Sequence, residues 1–139
     1  MILLDTNVVS EPLRAVPDSR VVQWLDAQAL ETVYISVITV AEMRYGVARL
    51  PNGRRRSALR DRLETQVLPA FAGRMLAFDL AATQTYADLM AKAQAAGFSI
   101  GMADGLIAAI ASANGMTVAT RDTAAFSAAG VAVINPWQS

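Results

Sequence analysis

With 139 residues, the chain is long enough for one domain over residues 1–139, and its twelve basic and twelve acidic residues exclude a general attraction to nucleic acid. The absence of histidine and cysteine excludes disulfides, thiol nucleophiles and zinc sites built on nitrogen or sulfur ligands. No apolar run of about 18 residues and no secretory leader occurs, so we expect a cytoplasmic protein without a membrane span.

Strands and helices are predicted to alternate along the first half of the chain. The segment from Ile2 to Asp5 is apolar on both faces up to the aspartate, which is typical of a buried parallel strand. Pro17-Asp18-Ser19 is a typical helix start. The elements expected here are a strand at 2–5, a short helix from 6 or 7 that ends before 12, a helix from 17–19, a strand at 33–35 and a helix at 39–50.

The second half continues the alternation and completes a sheet. The elements expected here are an arginine-rich helix at 54–71, a strand at 75–78, a helix at 80–96, a helix at 102–114 and strands at 117–119 and 131–134. This rhythm predicts an α/β fold with a mostly parallel five-stranded sheet and helices on both faces, an α/β/α sandwich. In such sheets, ligands bind beyond the carboxyl ends of the strands.

Four acidic residues are predicted to lie near that carboxyl edge. Two follow strands and two lie in the first turns of helices: Asp5, Asp122, Glu42 and Asp104. Crowded carboxylates are stable only beside a cation or strong donors. Because no histidine or cysteine is available, a hard cation such as Mg²⁺ or Mn²⁺ is favoured, which could activate a water against a phosphodiester. Thr6, Asn7 and Thr120 add polar groups that could orient the acids or a water, and we count both threonines as candidate catalytic residues.

Each acid also has a purely structural interpretation. Asp5 and Asp122 are typical helix N-caps, and Thr39 with Glu42 fits a capping box. Asp104 would favour the positive end of its helix dipole. These roles explain the acids one by one, but they do not explain why acids from separate elements would converge on one edge.

Four segments of the chain carry a resemblance to a known family: LLDTNVVSE, ITVAEMRYG, MADGLIAAIA and TVATRD. They resemble the motifs of the PIN-domain family, and more closely those of its VapC-type toxins and FitB-like members. The similarity extends to the closing AVINPW. The resemblance implies a PIN fold and a metal-dependent endoribonuclease, the toxin of a type II toxin–antitoxin module.

The resemblance also implies roles for individual residues and partners. By motif match, Asp5, Glu42, Asp104 and Asp122 would be the catalytic and metal-binding quartet, with Thr120 as a supporting polar residue. The implied cofactor is Mg²⁺ or Mn²⁺, and the implied substrate is RNA. The implied partner is a cognate antitoxin of the VapB or FitA type whose tail enters the active groove, with DNA contacted only through that antitoxin.

Eleven of the twelve basic residues are arginines, and five of them share one predicted helix: Arg54, Arg55, Arg56, Arg60 and Arg62. A solvated helix face is the simple interpretation. Three cations at a helix start, however, oppose the dipole by about 0.3 kcal/mol or more each, so phosphate or an acidic partner surface is the alternative. Arg44 and Arg49 lie near Glu42 in the sequence and are candidates for the same groove.

Apolar residues make up 54% of the chain and the mean hydropathy is +0.34, which predicts that some apolar surface faces another subunit. We therefore expect a homodimer, and a larger assembly with the antitoxin. Trp24 and Trp137 could stack on bases, but core or interface packing is the favoured interpretation. Tyr86, Leu89 and Met90 form an apolar stripe that predicts core and dimer surface.

Two other functions fit parts of the pattern. A haloacid-dehalogenase-like phosphatase also begins with an aspartate after a strand. It needs a second aspartate where this chain has Asn7, and the single lysine, Lys92, is badly placed, so this function is excluded. Alternatively, the chain could act mainly as a non-catalytic subunit of a DNA-binding repressor complex that contains the antitoxin.

Overall fold

The computed structural model describes residues 1–138 and contains one sheet of five strands. The strands are β1 (Ile2–Leu4), β2 (Val33–Ser36), β3 (Met75–Leu76), β4 (Thr117–Ala119) and β5 (Val133–Ile134). They pair in the order β3-β2-β1-β4-β5, and every pairing is parallel. The predicted parallel α/β fold is therefore confirmed, with β1 at its centre.

Within residues 1–138, eight α-helices connect and cover the strands. They are α1 (Thr6–Ser10), α2 (Ser19–Asp26), α3 (Val37–Ala48), α4 (Arg54–Arg62), α5 (Leu68–Ala70), α6 (Leu80–Ala95), α7 (Met102–Ala113) and α8 (Thr123–Ala128). A π-helical turn, Leu63–Val67, joins α4 to α5, so the predicted arginine-rich helix is continuous but under-wound at its centre. None of the described helices is long and apolar enough to cross a membrane.

Two apolar cores lie on opposite faces of the sheet, because successive residues of a strand point to opposite sides. Leu4 belongs to the core formed with α1, α2, α3 and the π turn, whereas Leu3 belongs to the core under α6, α7 and α8. Trp137 is 4% exposed in the first core and Trp24 packs against it, which confirms that both tryptophans pack internally. In the second core, Leu89 is buried, and it is flanked by the two other residues of the predicted stripe.

The edge strands are shorter than predicted. β3 ends at Leu76, because its pairing partner Ser36 is the last residue of β2 and the chain there turns into α3. The N–H of Val131, expected in β5, donates instead to the carbonyl of Phe126 (3.1 Å), which closes the end of α8. β5 therefore begins two residues later.

Helix α8 has no counterpart among the predicted elements. Its segment, TAAFSA, is dominated by alanine and gives no apolar periodicity from which a helix could be identified. Phe126 is fully buried in the second core and anchors this helix to the sheet. Helix α8 is therefore stabilised by a tertiary contact of one aromatic side chain, which the local sequence does not reveal.

Candidate functional site

Asp5 lies where β1 ends, at the carboxyl edge of the central strand. Its backbone N–H donates to the carbonyl of Ala119 (2.9 Å), which extends the pairing with β4, and the residue is 4% exposed. The N–H of Thr6 donates to Asp5 Oδ1 and the hydroxyl of Thr120 donates to Oδ2, both at 2.8 Å. Burial raises the pKa of Asp5, the hydrogen bonds from Thr120 and Thr6 oppose that shift, and the charges of Glu42 and Asp122 add to it.

Glu42 reaches the same edge from α3. That helix begins at Val37, two residues before the predicted start, because Ser36 is its N-cap and accepts the N–H of Thr39 (3.1 Å). The capping-box interpretation of Thr39 and Glu42 is therefore wrong. Glu42 is exposed, and its Oε1 instead accepts the hydroxyl of Thr6 (2.6 Å) across the interface between α1 and α3.

Asp104 and Asp122 lie near the other two acids. Asp104 is in the first turn of α7 and half-buried, and Asp122 follows β4 and is exposed. The pKa of Asp104 is raised to about 6, first by burial, then by a hydrogen bond with Asp122 and by the charges of Asp5, Asp122 and Glu42. The last three causes mean that all four predicted acids share one electrostatic environment.

Helix capping explains Asp5 but not Asp122. Asp5 does cap α1, although through the first helical N–H, and Asp122 lies at the cap position of α8 without making a capping hydrogen bond from its side chain. The N–H of Asp122 instead donates to the hydroxyl of Thr120 (2.9 Å). Thr120 thus links the two aspartates, and capping does not explain Glu42 or Asp122.

The donor set consists of carboxylate and hydroxyl oxygens, the ligands that Mg²⁺ and Mn²⁺ prefer. Within residues 1–138, no three acidic side chains converge closely enough to ligate one ion as they stand. Like charges repel, and Asp5 and Glu42 are held by hydrogen bonds from threonine partners. Each bound oxygen keeps a further lone pair that a cation could use, so the chemistry of the donor set, though not its present arrangement, suits a divalent ion.

A groove of about 340 Å³ opens beside Glu42 and Thr6, between α1, α3 and α4. Three arginines line it: Arg14, Arg49 and Arg55. Arg49 therefore lies where the sequence suggested. Arg44 does not, because its guanidinium binds Glu64 on the π turn (Nε to Oε1 2.8 Å, Nη2 to Oε2 3.1 Å).

Some contacts around the site escape sequence-based reasoning. Thr39 is fully buried against Thr6, at 3.0 Å between hydroxyl oxygens, and only the packing of α1 on α3 brings them together. Asn7 accepts the backbone N–H of Arg121 (3.3 Å) and so ties the segment after β4 to α1. The guanidinium of Arg121 lies over the ring of Trp137, 5.2 Å from its centroid.

Replacement of Asp104 by Asn should stabilise the metal-free protein at neutral pH. A carboxyl whose pKa is raised from 3.8 to about 6 on folding lowers the free energy of unfolding as pH rises between those values, and the loss is complete above pH 6. Because Asp104 is only half-buried, solvent screens part of this effect, and we expect a gain of about 1 kcal/mol, or about 3 °C in Tm.

Thermal unfolding of both proteins in EDTA, from pH 4 to pH 8, would measure this effect. The two curves should converge near pH 4 and separate as pH rises. Asp88→Asn, an exposed carboxyl on α6, is the matched control and should not change the pH dependence. A variant that is less stable than the wild type at pH 8 would support the helix-dipole role for Asp104 and contradict charge crowding.

Comparison with known proteins assigns this architecture. The model of the PIN domain family matches residues 2–131. Three curated relatives are similar over essentially their whole length: plasmid stability protein StbB of Pseudomonas syringae pv. tomato (59% identity, 100% of both chains), VapC ribonuclease Y4jK of Sinorhizobium fredii (59%, 99% of both) and toxin FitB of Neisseria gonorrhoeae (57%, 99% of both).

Solved structures agree with the sequence relatives. The crystal structure of FitAcB from Neisseria gonorrhoeae has a chain that is 56% identical, with a TM-score of 0.97 and complete coverage of both chains. A structure of FitAB bound to an IR36 DNA fragment contains a chain that is 57% identical, with a TM-score of 0.97, over 100% of this chain and 97% of that one.

Proposed function

The chain belongs to the PIN-domain family, and from that premise we propose that it is a Mg²⁺- or Mn²⁺-dependent endoribonuclease, the toxin of a type II toxin–antitoxin pair. The observation that carries the proposal is the shared electrostatic environment of Asp5, Glu42, Asp104 and Asp122 at one sheet edge. The ribonuclease name of one relative supports the reaction, and the toxin name of another supports the toxin role.

We assign the metal-binding role to these four acids and a supporting role to Thr6 and Thr120. When bound, the divalent ion would supply positive charge against the developing charge of a phosphodiester and activate a water. Asp5 is held by two donors, so its carboxylate keeps one orientation. Thr6 fixes Glu42, and Thr120 connects Asp5 to the backbone of Asp122.

The partners follow from the relatives. FitB has been solved as part of a FitAB complex, and that complex has been solved on DNA. We propose that this chain likewise binds a cognate antitoxin of the VapB or FitA type and contacts DNA only through it. Homodimerisation, and a larger assembly with the antitoxin, would cover exposed apolar side chains such as Leu80 (86% exposed) and Met102 (70%).

Cleavage of a panel of RNAs by the partner-free protein tests the proposed activity. We expect cleavage that EDTA abolishes and that Mg²⁺ or Mn²⁺ restores, with Zn²⁺ a poor substitute for an all-oxygen site. Asp88→Asn, distant from the site on the solvent side of α6, should cleave like the wild type. Undiminished cleavage in excess chelator would contradict the metal-dependent reaction.

Replacing Arg49 and Arg55 together by Gln should weaken RNA binding and flatten its salt dependence. Both side chains line the groove beside Glu42, where a phosphate backbone approaching the acids would pass. Loss of two phosphate contacts on single-stranded RNA should reduce the slope of log K against log salt by about 1.4. Binding can be measured in EDTA, so that cleavage does not interfere.

The matched control replaces Arg56 and Arg60, which line a separate depression with Arg44 on the other side of α4. This pair removes the same charge from the same helix region and should leave most of the salt slope intact. An equal loss in both double variants would mean that only net charge matters. An unchanged salt slope in the Arg49 and Arg55 double variant would support the interpretation of these arginines as solvated surface residues.

A second role is compatible with the first, because the DNA-bound FitAB complex contains a chain of this type. The chain could strengthen a repressor whose antitoxin reads the DNA. Measuring the DNA affinity of the antitoxin with and without this chain would test this role. Retention of the full effect by an Asp5→Asn variant would show that it does not need the nuclease site.

A further inference from the structure

Three hydroxyl groups form a line that leads from the end of β2 to Glu42. Ser36 and Thr39 are fully buried, and their hydroxyl oxygens lie 3.5 Å apart. The oxygen of Thr39 is 3.0 Å from that of Thr6, which is 2.6 Å from Glu42 Oε1. The line therefore connects the closed interior of the fold to one acid of the proposed metal site.

The chemistry of the groups fixes the direction of these hydrogen bonds. A hydroxyl has one proton to donate, whereas an ionised carboxylate can only accept. Thr6 must therefore give its proton to Glu42, the shorter contact, and accept at its oxygen from Thr39. The hydroxyl oxygen of Thr39 accepts in turn from the hydroxyl of Ser36. The oxygen of Ser36 itself accepts the backbone N–H of Thr39.

Thr6 acts on two of the acids at once. Its N–H donates to Asp5 and its hydroxyl donates to Glu42, so the rotamer of Thr6 sets the position of Glu42 relative to Asp5. Thr39 is the only hydroxyl donor that the described residues offer to the oxygen of Thr6. A buried hydroxyl is costly unless it is hydrogen-bonded. The contact with Thr6 supplies that hydrogen bond for Thr39, and a valine at position 39 could not make it.

We propose that Thr39 is a positioning residue that orients Glu42 for divalent-metal binding by donating to Thr6. The inference rests on the proposed metal-dependent function, although the hydrogen-bond line itself does not. Thr39 touches neither metal nor substrate. Loss of an outer hydrogen-bond partner of a metal ligand typically lowers metal affinity by about 10- to 100-fold, and Thr39 acts through one intermediary, so about tenfold is expected.

The experiment compares Thr39→Val, which keeps the shape and removes the donor, with Thr39→Ser, which keeps the donor. Mn²⁺ affinity is measured by calorimetry on the full chain, in the wild-type and Glu42→Ala backgrounds. Thr39→Val should weaken Mn²⁺ binding about tenfold, Thr39→Ser should stay within about twofold of the wild type, and the valine effect should vanish when Glu42 is absent. A role in stability alone would give the same loss in both backgrounds.

A second measurement is independent of the metal. In metal-free protein, NMR should detect a slowly exchanging Thr6 hydroxyl proton that persists in Thr39→Ser and is lost in Thr39→Val. Wild-type protein that binds no Mn²⁺ would overturn the proposed function. The hydroxyl signal would then still test whether Thr39 orients the hydroxyl of Thr6, because it is measured without metal. Mn²⁺ affinity or a hydroxyl signal that is equal in the wild type and Thr39→Val would overturn the inference.

Discussion

Replacing Asp5 with Asn should abolish RNA cleavage, with a loss in kcat/KM of more than about a hundredfold. Loss of an outer hydrogen-bond partner alone costs about 10- to 100-fold, and Asp5 is proposed as a direct ligand, so its removal should cost more. The fold should persist, because Asn can still accept the N–H of Thr6 and the hydroxyl of Thr120 can accept from the new amide. Kinetics in saturating Mn²⁺ would measure the loss.

The stability of this variant separates the two interpretations of Asp5. Burial raises the pKa of Asp5, so its ionised form opposes folding above the ordinary pKa of the carboxyl, and metal-free Asp5→Asn should melt at the same temperature or slightly higher. Asp79→Asn is the matched control, since Asp79 caps α6 by accepting the N–H of Ala82 and lies outside the site. It should retain full activity. Inactivity of Asp5→Asn with a Tm several degrees lower would support a structural cap instead.

The antitoxin should inhibit by inserting an arginine among Asp5, Glu42, Asp104 and Asp122. A ring of carboxylates can be neutralised by a cation or by a guanidinium, which stays charged at any working pH and binds carboxylates with two parallel hydrogen bonds. Replacing that antitoxin arginine by Ala should restore cleavage by the complex, even while apolar contacts outside the groove persist. Cleavage by the intact complex, with either antitoxin, measures the effect.

Metal and antitoxin should then compete. Raising Mn²⁺ should weaken antitoxin binding by the same factor by which the antitoxin weakens Mn²⁺ binding, about 5- to 150-fold for a typical coupling. An antitoxin lysine substituted at another surface position serves as the control and should not relieve inhibition. If antitoxin affinity is indifferent to Mn²⁺ and no basic antitoxin residue affects activity, inhibition operates at another surface.

The central part of the fold could be predicted because its signals are local. β1 is a continuous apolar run, and the ends of α6 and α7 are marked by Gly97 and Gly115, which adopt positive φ angles that favour glycine. The edge strands could not be delimited, because their length depends on the register with neighbouring strands. Helix α8 could not be identified, because the burial of Phe126 is a tertiary contact.

The candidate acids could be chosen from the sequence because each stands at the end of an element, where the topology of a parallel sheet brings residues together. The hydrogen-bond partners that hold these acids could not be predicted in the same way. The buried contact between Thr6 and Thr39 spans 33 residues, and Thr39 looked like the cap of a helix that in fact begins at Val37. The pairing of Arg44 with Glu64 depends likewise on how α3 packs against the π turn, which no spacing in the sequence reveals.

Crystals of the partner-free protein soaked in Mn²⁺ provide the most direct test that these four acids form a metal site. We expect an anomalous peak at the carboxyl edge of β1, within about 2.5 Å of carboxylate oxygens from at least two of Asp5, Glu42, Asp104 and Asp122. The peak should disappear in Asp5→Asn crystals and persist in Asp79→Asn crystals. A Mn²⁺ ion bound elsewhere, or no peak at millimolar Mn²⁺ in wild-type crystals that diffract well, would contradict this expectation.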